Sequence, residues 1–298
     1  MQKIPQKNAK NLRIVAFGDI VGSAGRAIIK QLVPEIKQHW QPDIIIANVE
    51  NASHGYGLTP KHAIELHNFG IDLMTMGNHT WDKHILWYTI KKFRYIARPL
   101  NQTRETPGQG YAIHATKFGN FAVISLVGRF FMNPANCPFH AVFDMIKDLH
   151  KQGIKMIAVD IHAEASAEKQ IMGYFLDGKA SIVWGTHTHV QTADDHILPK
   201  GTGYLTDLGM TGALESVLGF EIEPALKKMI YGEPNRMHPA TKGPLIATGL
   251  IADINPSSGK TKFLMRFKEK LDPIPNLVEE NAEKDHIIRT DMEKEAEL

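Results

Sequence analysis

The stretch Ala180-Ser181-Ile182-Val183-Trp184-Gly185-Thr186-His187-Thr188-His189 joins an apolar run to two imidazoles. The run reads as a buried strand, and the histidines follow where it gives way to a loop. Strand ends are where α/β proteins gather their chemistry. Two histidines one residue apart can each offer a neutral ring nitrogen to a cation, provided other segments bring carboxylates and further imidazoles to the same place. By itself the pair fits a surface or structural role equally well.

The remainder of the chain supplies such partners at the same kind of position. Leu12-Arg13-Ile14-Val15-Ala16-Phe17 runs into Gly18-Asp19, and the apolar segment from Asp43 to Val49 ends in Glu50-Asn51. The segment from Ile71 to Met76 leads to Gly77-Asn78-His79, and that from Ile154 to Ile161 leads to His162. A lone Asp or Asn after a strand is ordinarily a turn residue or a helix cap. Five apolar strands that each end in an oxygen or imidazole ligand exceed what turn chemistry explains.

Taken in order, Gly18-Asp19, Glu50-Asn51, Gly77-Asn78-His79, His162 and Gly185-Thr186-His187-Thr188-His189 resemble the sequence blocks of the calcineurin-like metallophosphoesterases. The wording Phe17-Gly18-Asp19-Ile20-Val21-Gly22-Ser23, Val49-Glu50-Asn51-Ala52, Met76-Gly77-Asn78-His79-Thr80-Trp81-Asp82, His162-Ala163-Glu164 and Thr206-Asp207-Leu208-Gly209-Met210-Thr211-Gly212 is similar, more narrowly, to the bacterial YmdB-like branch. The match runs from about Leu12 to about Lys268. Two blocks depart from the broad superfamily: Val21 stands where an Asp-x-His block has histidine, and Glu50-Asn51 replaces the usual Gly-Asp-x-x-Asp bridge. Both departures are shared by the YmdB-like branch and bear on metal identity rather than on family.

The resemblance implies an α/β fold, the calcineurin-like metallophosphoesterase sandwich of two mixed β-sheets flanked by helices. It places one metallophosphoesterase domain at 12–268, after an N-terminal extension at 1–11 and before a charged tail at 269–298. It implies hydrolysis of phosphodiesters, foremost 2′,3′-cyclic and secondarily 3′,5′-cyclic nucleoside monophosphates. Asp19, Glu50, Asn51 and His189 would surround one metal, and Glu50, Asn78, His162 and His187 the other, with Glu50 bridging. Iron ranks first on resemblance; a sulfur-free N/O site also suits Mn or Zn.

Such chemistry uses two cations about 3.5–4 Å apart, so that the nucleophile and the leaving oxygen of an in-line displacement are both stabilised. With Asp19 and Glu50 as the protein charges, two divalent ions leave a surplus of about +2, which attracts a phosphodiester. It also brings a bridging water toward a pKa of about 7, so that hydroxide attack on phosphorus needs no dedicated base. His79, next to Asn78, is the expected catalytic residue, donating to phosphate or protonating the departing alkoxide; the alternative is a supporting or core histidine. Asp82 either orients it or caps the next helix. His54, His84 and Glu164 are expected to be surface or supporting residues. His39, His62, His67, His114, His150, His238 and His286 carry no ligating pattern.

At 298 residues and 43% hydrophobic content, the chain can bury one large core. A formal net charge of +2 provides no extended nucleic-acid or membrane surface, so the expected partner is a small cyclic nucleotide or other phosphodiester held locally. Homo-oligomerisation is left open. The single Cys137 excludes an internal disulfide framework and a cysteine-based zinc site; it is expected to pack as a small hydrophobe. The polar, basic N-terminus has no signal-peptide core and no run reaches membrane-spanning length, which predicts a cytoplasmic protein.

Ile28, Ile29, Leu32, Val33, Ile36 and Trp40 recur at helical spacing after Gly25, and Thr59-Pro60 reads as an N-cap with proline in the first turn. Hairpins are predicted across Gly119-Asn120 and from Leu245 to Phe267, turning at Asn255-Pro256-Ser257-Ser258-Gly259. Thr211, Gly209 and Gly212 suit either a phosphate or ribose pocket or a tight turn. From Glu269 onward charge dominates, as in a solvated helix or tail.

Competing functions are weaker. A dinucleotide loop at Gly18–Gly25 lacks the Gly-x-Gly-x-x-Gly spacing and puts a carboxylate where pyrophosphate would approach. A zinc deaminase built on His162-Ala163-Glu164 would need paired cysteines. A metal-dependent phosphomonoesterase or a non-catalytic nucleotide sensor would use the same ligands, and turnover separates them from a phosphodiesterase.

Overall fold

The structure is a computed structural model in which residues 1–234 and 237–272 are described. The charged segment from 273 to 298, with His286, lies outside the described residues. The chain opens with β1 (Leu12–Phe17), β2 (Asp19–Ile20), α1 (Gly22–Trp40), β3 (Ile44–Asn48), α2 (Pro60–Asn68), β4 (Leu73–Thr75), α3 (His84–Thr89) and β5 (Ile96–Ala97). There follow β6 (Tyr111–Thr116), β7 (Gly119–Val127), α4 (Pro138–Lys151), β8 (Met156–His162), α5 (Ser166–Leu176), β9 (Ile182–Thr186), β10 (His196–Ile197) and β11 (Gly203–Leu205). The last elements are β12 (Met210–Ala213), α6 (Ile222–Tyr231), β13 (Leu245–Ile254) and β14 (Thr261–Leu271).

Two mixed sheets pack face to face between helices. One contains β2, β12, β13, β1, β3, β4 and β5 in that order, with β14 on the free side of β13; the other runs β10, β11, β9, β8, β7, β6. Continuous apolar runs form the central strands because both faces of each are covered. In β1, Leu12, Ile14 and Ala16 point to the core between the sheets, whereas Val15 and Phe17 point to the core beneath α1 and α2. A third core lies between the second sheet and α4 and α5, with Ile124, Ile157, Val183 and Met172 among its members.

The predicted local structure is found with small shifts. α1 begins at Gly22, before Gly25. Thr59 Oγ1 accepts from His62 N at 3.3 Å at the start of α2. The β6–β7 hairpin closes at Thr116↔Gly119, and β13–β14 closes at Ile254↔Thr261. β14 continues past Lys268 to Leu271, because Glu269, Lys270 and Leu271 pair with β13. The N-terminal extension lies against the sheet: Trp40 Nε1 donates to the Gln2 carbonyl and Arg13 Nη1 to that of Pro5. Cys137, expected to pack as a small hydrophobe, is instead half-buried at the start of α4, where the chain enters the helix from the surface. Among the described residues no helix is long and apolar enough to cross a membrane.

One topological detail creates the site. β14 pairs with one side of β13 along its length, whereas the other side is shared: β1 occupies Gly249–Ile254 and β12 occupies Leu245–Ala247. Gly18 and Asp19 sit at the division, with Gly18 N bonded to the Thr248 carbonyl and Asp19 N to that of Gly209. A Cβ on Gly18 would stand 2.0 Å from the Gly209 oxygen, so only glycine allows the chain to turn there.

Candidate metal centre

All five ligand-bearing strand ends converge at the carboxyl ends of β1, β3, β4, β8 and β9, as open α/β sheets dictate. His162 is the hub. Its Nε2 lies 2.8 Å from Glu50 Oε1, 2.9 Å from Asn78 Oδ1 and 3.1 Å from His187 Nδ1. The donor atoms of Glu50, His162 and His187 all fall within 4.8 Å of one another. Beside them Asp19 Oδ1 lies 3.9 Å from His162 Nδ1 and 3.7 Å from His189 Nε2, and Asn51 Nδ2 lies 2.9 Å from the same His189 nitrogen. The seven residues thus form two adjoining groups, one around His162 Nε2 and one around His189 Nε2.

Whether this cluster suits cations is tested by its oxygens. Asp19 Oδ1, Glu50 Oε1 and Asn51 Oδ1 are buried and accept no hydrogen bond of acceptable geometry. Burying a polar oxygen without a hydrogen bond is costly, and cation binding removes that cost. The donor set is three imidazoles, two carboxylates and two amides without sulfur, which suits transition-metal or zinc-like divalent ions. Gly77 makes room: a Cβ there would come within 2.4 Å of both Glu50 Oε2 and the His162 ring.

The protein prepares the imidazoles through their second nitrogens, as metal-binding histidines require. His162 Nδ1 meets Thr186 Oγ1 at 2.9 Å, and that hydroxyl donates to Asp160 Oδ1 at 2.7 Å. Thr75 Oγ1 and Asn48 Nδ2 also donate to Asp160. His187 Nε2 faces Glu164 Oε2 at 3.2 Å, and His189 Nδ1 faces the Leu218 carbonyl at 2.8 Å. Two of the three candidate histidines are in the left-handed region, His187 at φ 101° and His189 at φ 62°, a conformation that non-glycine residues adopt at a cost.

Asp207 holds that loop. Its carboxylate accepts from Thr188 N and Oγ1 and from Gly209 N, while Lys169 Nζ pairs with it at 2.6 Å in a site from which water is excluded. Gly209 has φ 79°, so the tight-turn alternative applies to it, and Thr211 lies within β12 with its hydroxyl buried.

Charges follow from this packing. Burial opposes protonation of His162, but Glu50, Asp19 and Asp160 outweigh it and push its pKa up to about 9. Burial and the neighbouring His162 charge push His187 down to about 4. Burial would raise the Asp19 carboxyl; His189, His162 and the His187 N–H instead hold it well below the usual carboxylate range. Burial lifts Asp160 to about 6.

His79 lies at the rim, half-buried, with its backbone N–H on Glu50 Oε2 at 2.9 Å and its Nδ1 on Asp82 Oδ2 at 2.7 Å. Burial works against its charged form, but Asp82 and Glu50 raise its pKa above the ordinary value. Tyr56 packs edge-on against it at 5.1 Å between ring centres. Sequence reasoning brought Asp19, Glu50, Asn51, Asn78, His79, His162, His187 and His189 to one place. It assigned no role to Asp160, Thr186, Asp207 or Lys169, although Thr186 and Asp207 stand within the quoted blocks. A charged residue inside the run Met156-Ile157-Ala158-Val159-Asp160 was the available signal for the first; Lys169 and Asp207 are 38 positions apart and left none.

The YmdB-like protein family model matches residues 15–267. The chain belongs to this family. The 2′,3′-cyclic-nucleotide 2′-phosphodiesterase of Bacillus subtilis strain 168 is 43% identical over 256 residues, 86% of this chain and 96% of that protein. Among solved structures, a novel phosphatase from Mycoplasma pneumoniae superposes with a TM-score of 0.82 at 29% identity, over 90% of this chain and 96% of its own. A hypothetical protein from Thermus thermophilus superposes at 0.81 and 32% identity, over 88% and 100%. This YmdB-like chain is therefore a metallophosphoesterase, and the double group around His162 and His189 is its candidate centre.

Proposed function

We propose that the chain hydrolyses 2′,3′-cyclic nucleoside monophosphates, with 3′,5′-cyclic nucleotides as secondary substrates, at a dinuclear site of Asp19, Glu50, Asn51, Asn78, His162, His187 and His189. The observation that carries this reading is the donor group of Glu50, His162 and His187, with Asp19, Asn51 and His189 beside it, where three buried oxygens carry no hydrogen bond. The likeness to the Bacillus subtilis phosphodiesterase supports the substrate class. Two divalent cations, iron first and Mn or Zn next, would supply charge to neutralise the phosphate and to acidify water. Within this scheme Glu50 is the carboxylate shared by both groups, His162 and His187 are kept as ligands by Thr186 and Glu164, and His79 gives its proton to the ribose oxygen as that oxygen leaves phosphorus.

Metal analysis of the purified protein combined with a product assay on 2′,3′-cyclic AMP tests the reading. Two metals per chain and metal-dependent formation of a nucleoside monophosphate are expected. Hydrolysis of phosphomonoesters alone would make it a phosphatase, and binding without turnover would make it a sensor.

A further inference from the structure

A cavity of about 510 Å³ begins where the candidate metal centre ends. His189 and Met210, the sheet partner of Asp19, both line it. Together with Leu214 and Ile246, Met210 belongs to a small apolar cluster separate from the three main cores. The lining also includes Arg266 and Lys268, which share one face of β14 with Lys270 because strand residues two apart point the same way. Asp195 pairs with Arg266 at 3.4 Å and offsets one of these charges; Lys268 is exposed.

Apolar lining combined with a few charged side chains is the usual make-up of a small-molecule site, and the volume is within the range such sites occupy. A cyclic mononucleotide alone would leave the cavity's two cationic side chains unmatched. A free 2′,3′-cyclic nucleotide carries its single phosphate at the scissile position and has nothing anionic to present to Arg266 and Lys268. A nucleotide that continues through its 5′ oxygen to another phosphate does.

Resting on the function proposed above, we infer that this cavity takes the nucleoside and 5′-phosphate next to the scissile group, so that the preferred substrate is the 3′ end of an oligoribonucleotide terminating in a 2′,3′-cyclic phosphate. The reaction is the same hydrolysis: a water oxygen bonds to phosphorus, one ring P–O ester bond breaks, and the freed ribose oxygen takes a proton. No redox partner is involved. The added contacts are one charged hydrogen-bonding group against Lys268 and Arg266 and one nucleoside against Met210, Leu214 and Ile246.

The test compares kcat/KM of the metal-loaded protein on 2′,3′-cyclic AMP with that on adenylyl-(3′→5′)-adenosine 2′,3′-cyclic phosphate. The dinucleotide is expected to be preferred by about tenfold or more, the scale of one hydrogen bond to a charged group. Lys268→Gln, and the double variant with Arg266→Gln, should reduce that ratio by a similar factor. Fluorescence anisotropy with a labelled dinucleotide 3′-phosphate gives a readout independent of turnover, and its Kd should rise with the same variants. Equal kcat/KM on both substrates, or a preference that survives the double variant, overturns the inference. Absence of turnover on either substrate overturns the phosphodiesterase reading instead, and Lys268-dependent binding of the labelled dinucleotide would then still support the cavity.

Discussion

His79 Nδ1 lies 2.7 Å from Asp82 Oδ2, and α3 begins after Lys83 with no side-chain cap. Asp82 therefore serves the imidazole and not the helix. With Nδ1 engaged, Nε2 is the nitrogen available to a leaving oxygen. His79→Ala should lower kcat by about 10²–10⁴ while both metals stay bound, as expected for loss of a general acid. A nitrophenyl phosphodiester, whose leaving group needs less protonation, should lose less. Equal losses on both substrates would reassign His79 to phosphate positioning, and metal loss would make it a ligand.

Asp82 supports the charged form of His79, so Asp82→Asn should lower the pKa of that imidazole. The alkaline limb of the kcat profile is then expected to move to lower pH, with kcat at the optimum reduced by about tenfold. An unmoved limb would separate Asp82 from the proton on His79.

Glu50 Oε1 faces His162 Nε2 and its Oε2 accepts from the His79 N–H, and in the proposed scheme this carboxylate is the one shared by both metals. Glu50→Gln should reduce metal content from two toward zero per chain, measured by plasma emission spectrometry after gel filtration. Retention of two tightly held metals would show that Glu50 does not bridge.

The Lys169–Asp207 pair is fully buried, with both side chains 1% exposed. Replacing one member leaves an uncompensated charge, so Lys169→Met should destabilise the fold by about 3–5 kcal/mol in urea titration. Thr188→Val removes only the hydroxyl bond to Asp207 and should leave the fold intact while weakening metal retention, because the strained His187-Thr188-His189 backbone loses a tether. Unchanged metal retention in Thr188→Val would assign the pair to stability alone.

His162 rises to about 9 from an ordinary value of 6.5 under the influence of Glu50, Asp19 and Asp160, despite burial. A folded-state pKa above the unfolded one contributes stability that is complete below pH 6.5 and is lost as pH climbs through about 9. Metal-free protein should accordingly show a Tm that falls across that window. Metal-loaded protein, in which the imidazole is a neutral ligand, should show no such fall, and loading near pH 7.5 should release protons to an indicator dye. A flat Tm in the metal-free protein would contradict the assignment.

The strand-and-ligand pattern was legible because β1, β3, β4, β8 and β9 are buried on both faces and change abruptly to polar residues at their ends. Both hairpins were legible from their turn residues. What supports the ligands was not, since Asp160 accepts from Thr75, Asn48 and Thr186 on three different strands and only the assembled sandwich makes them neighbours. The two-residue strands β2, β5 and β10 are equally invisible in sequence, because they owe their existence to longer partners and not to any periodicity of their own.

The sharing of one side of β13 between β1 and β12 ties the beginning of the chain to its far end. Asp19 is aimed only when Gly18 is held against Thr248, a contact spanning most of the polypeptide. Such distant pairings form late in folding, because the loop they close is long. A ribosome-bound chain that has not yet released residues 245–254 lacks the strand that sets this carboxylate. A chain cut short before β13 would carry all seven of the proposed ligands and still lack the strand against which Gly18 and Asp19 are set.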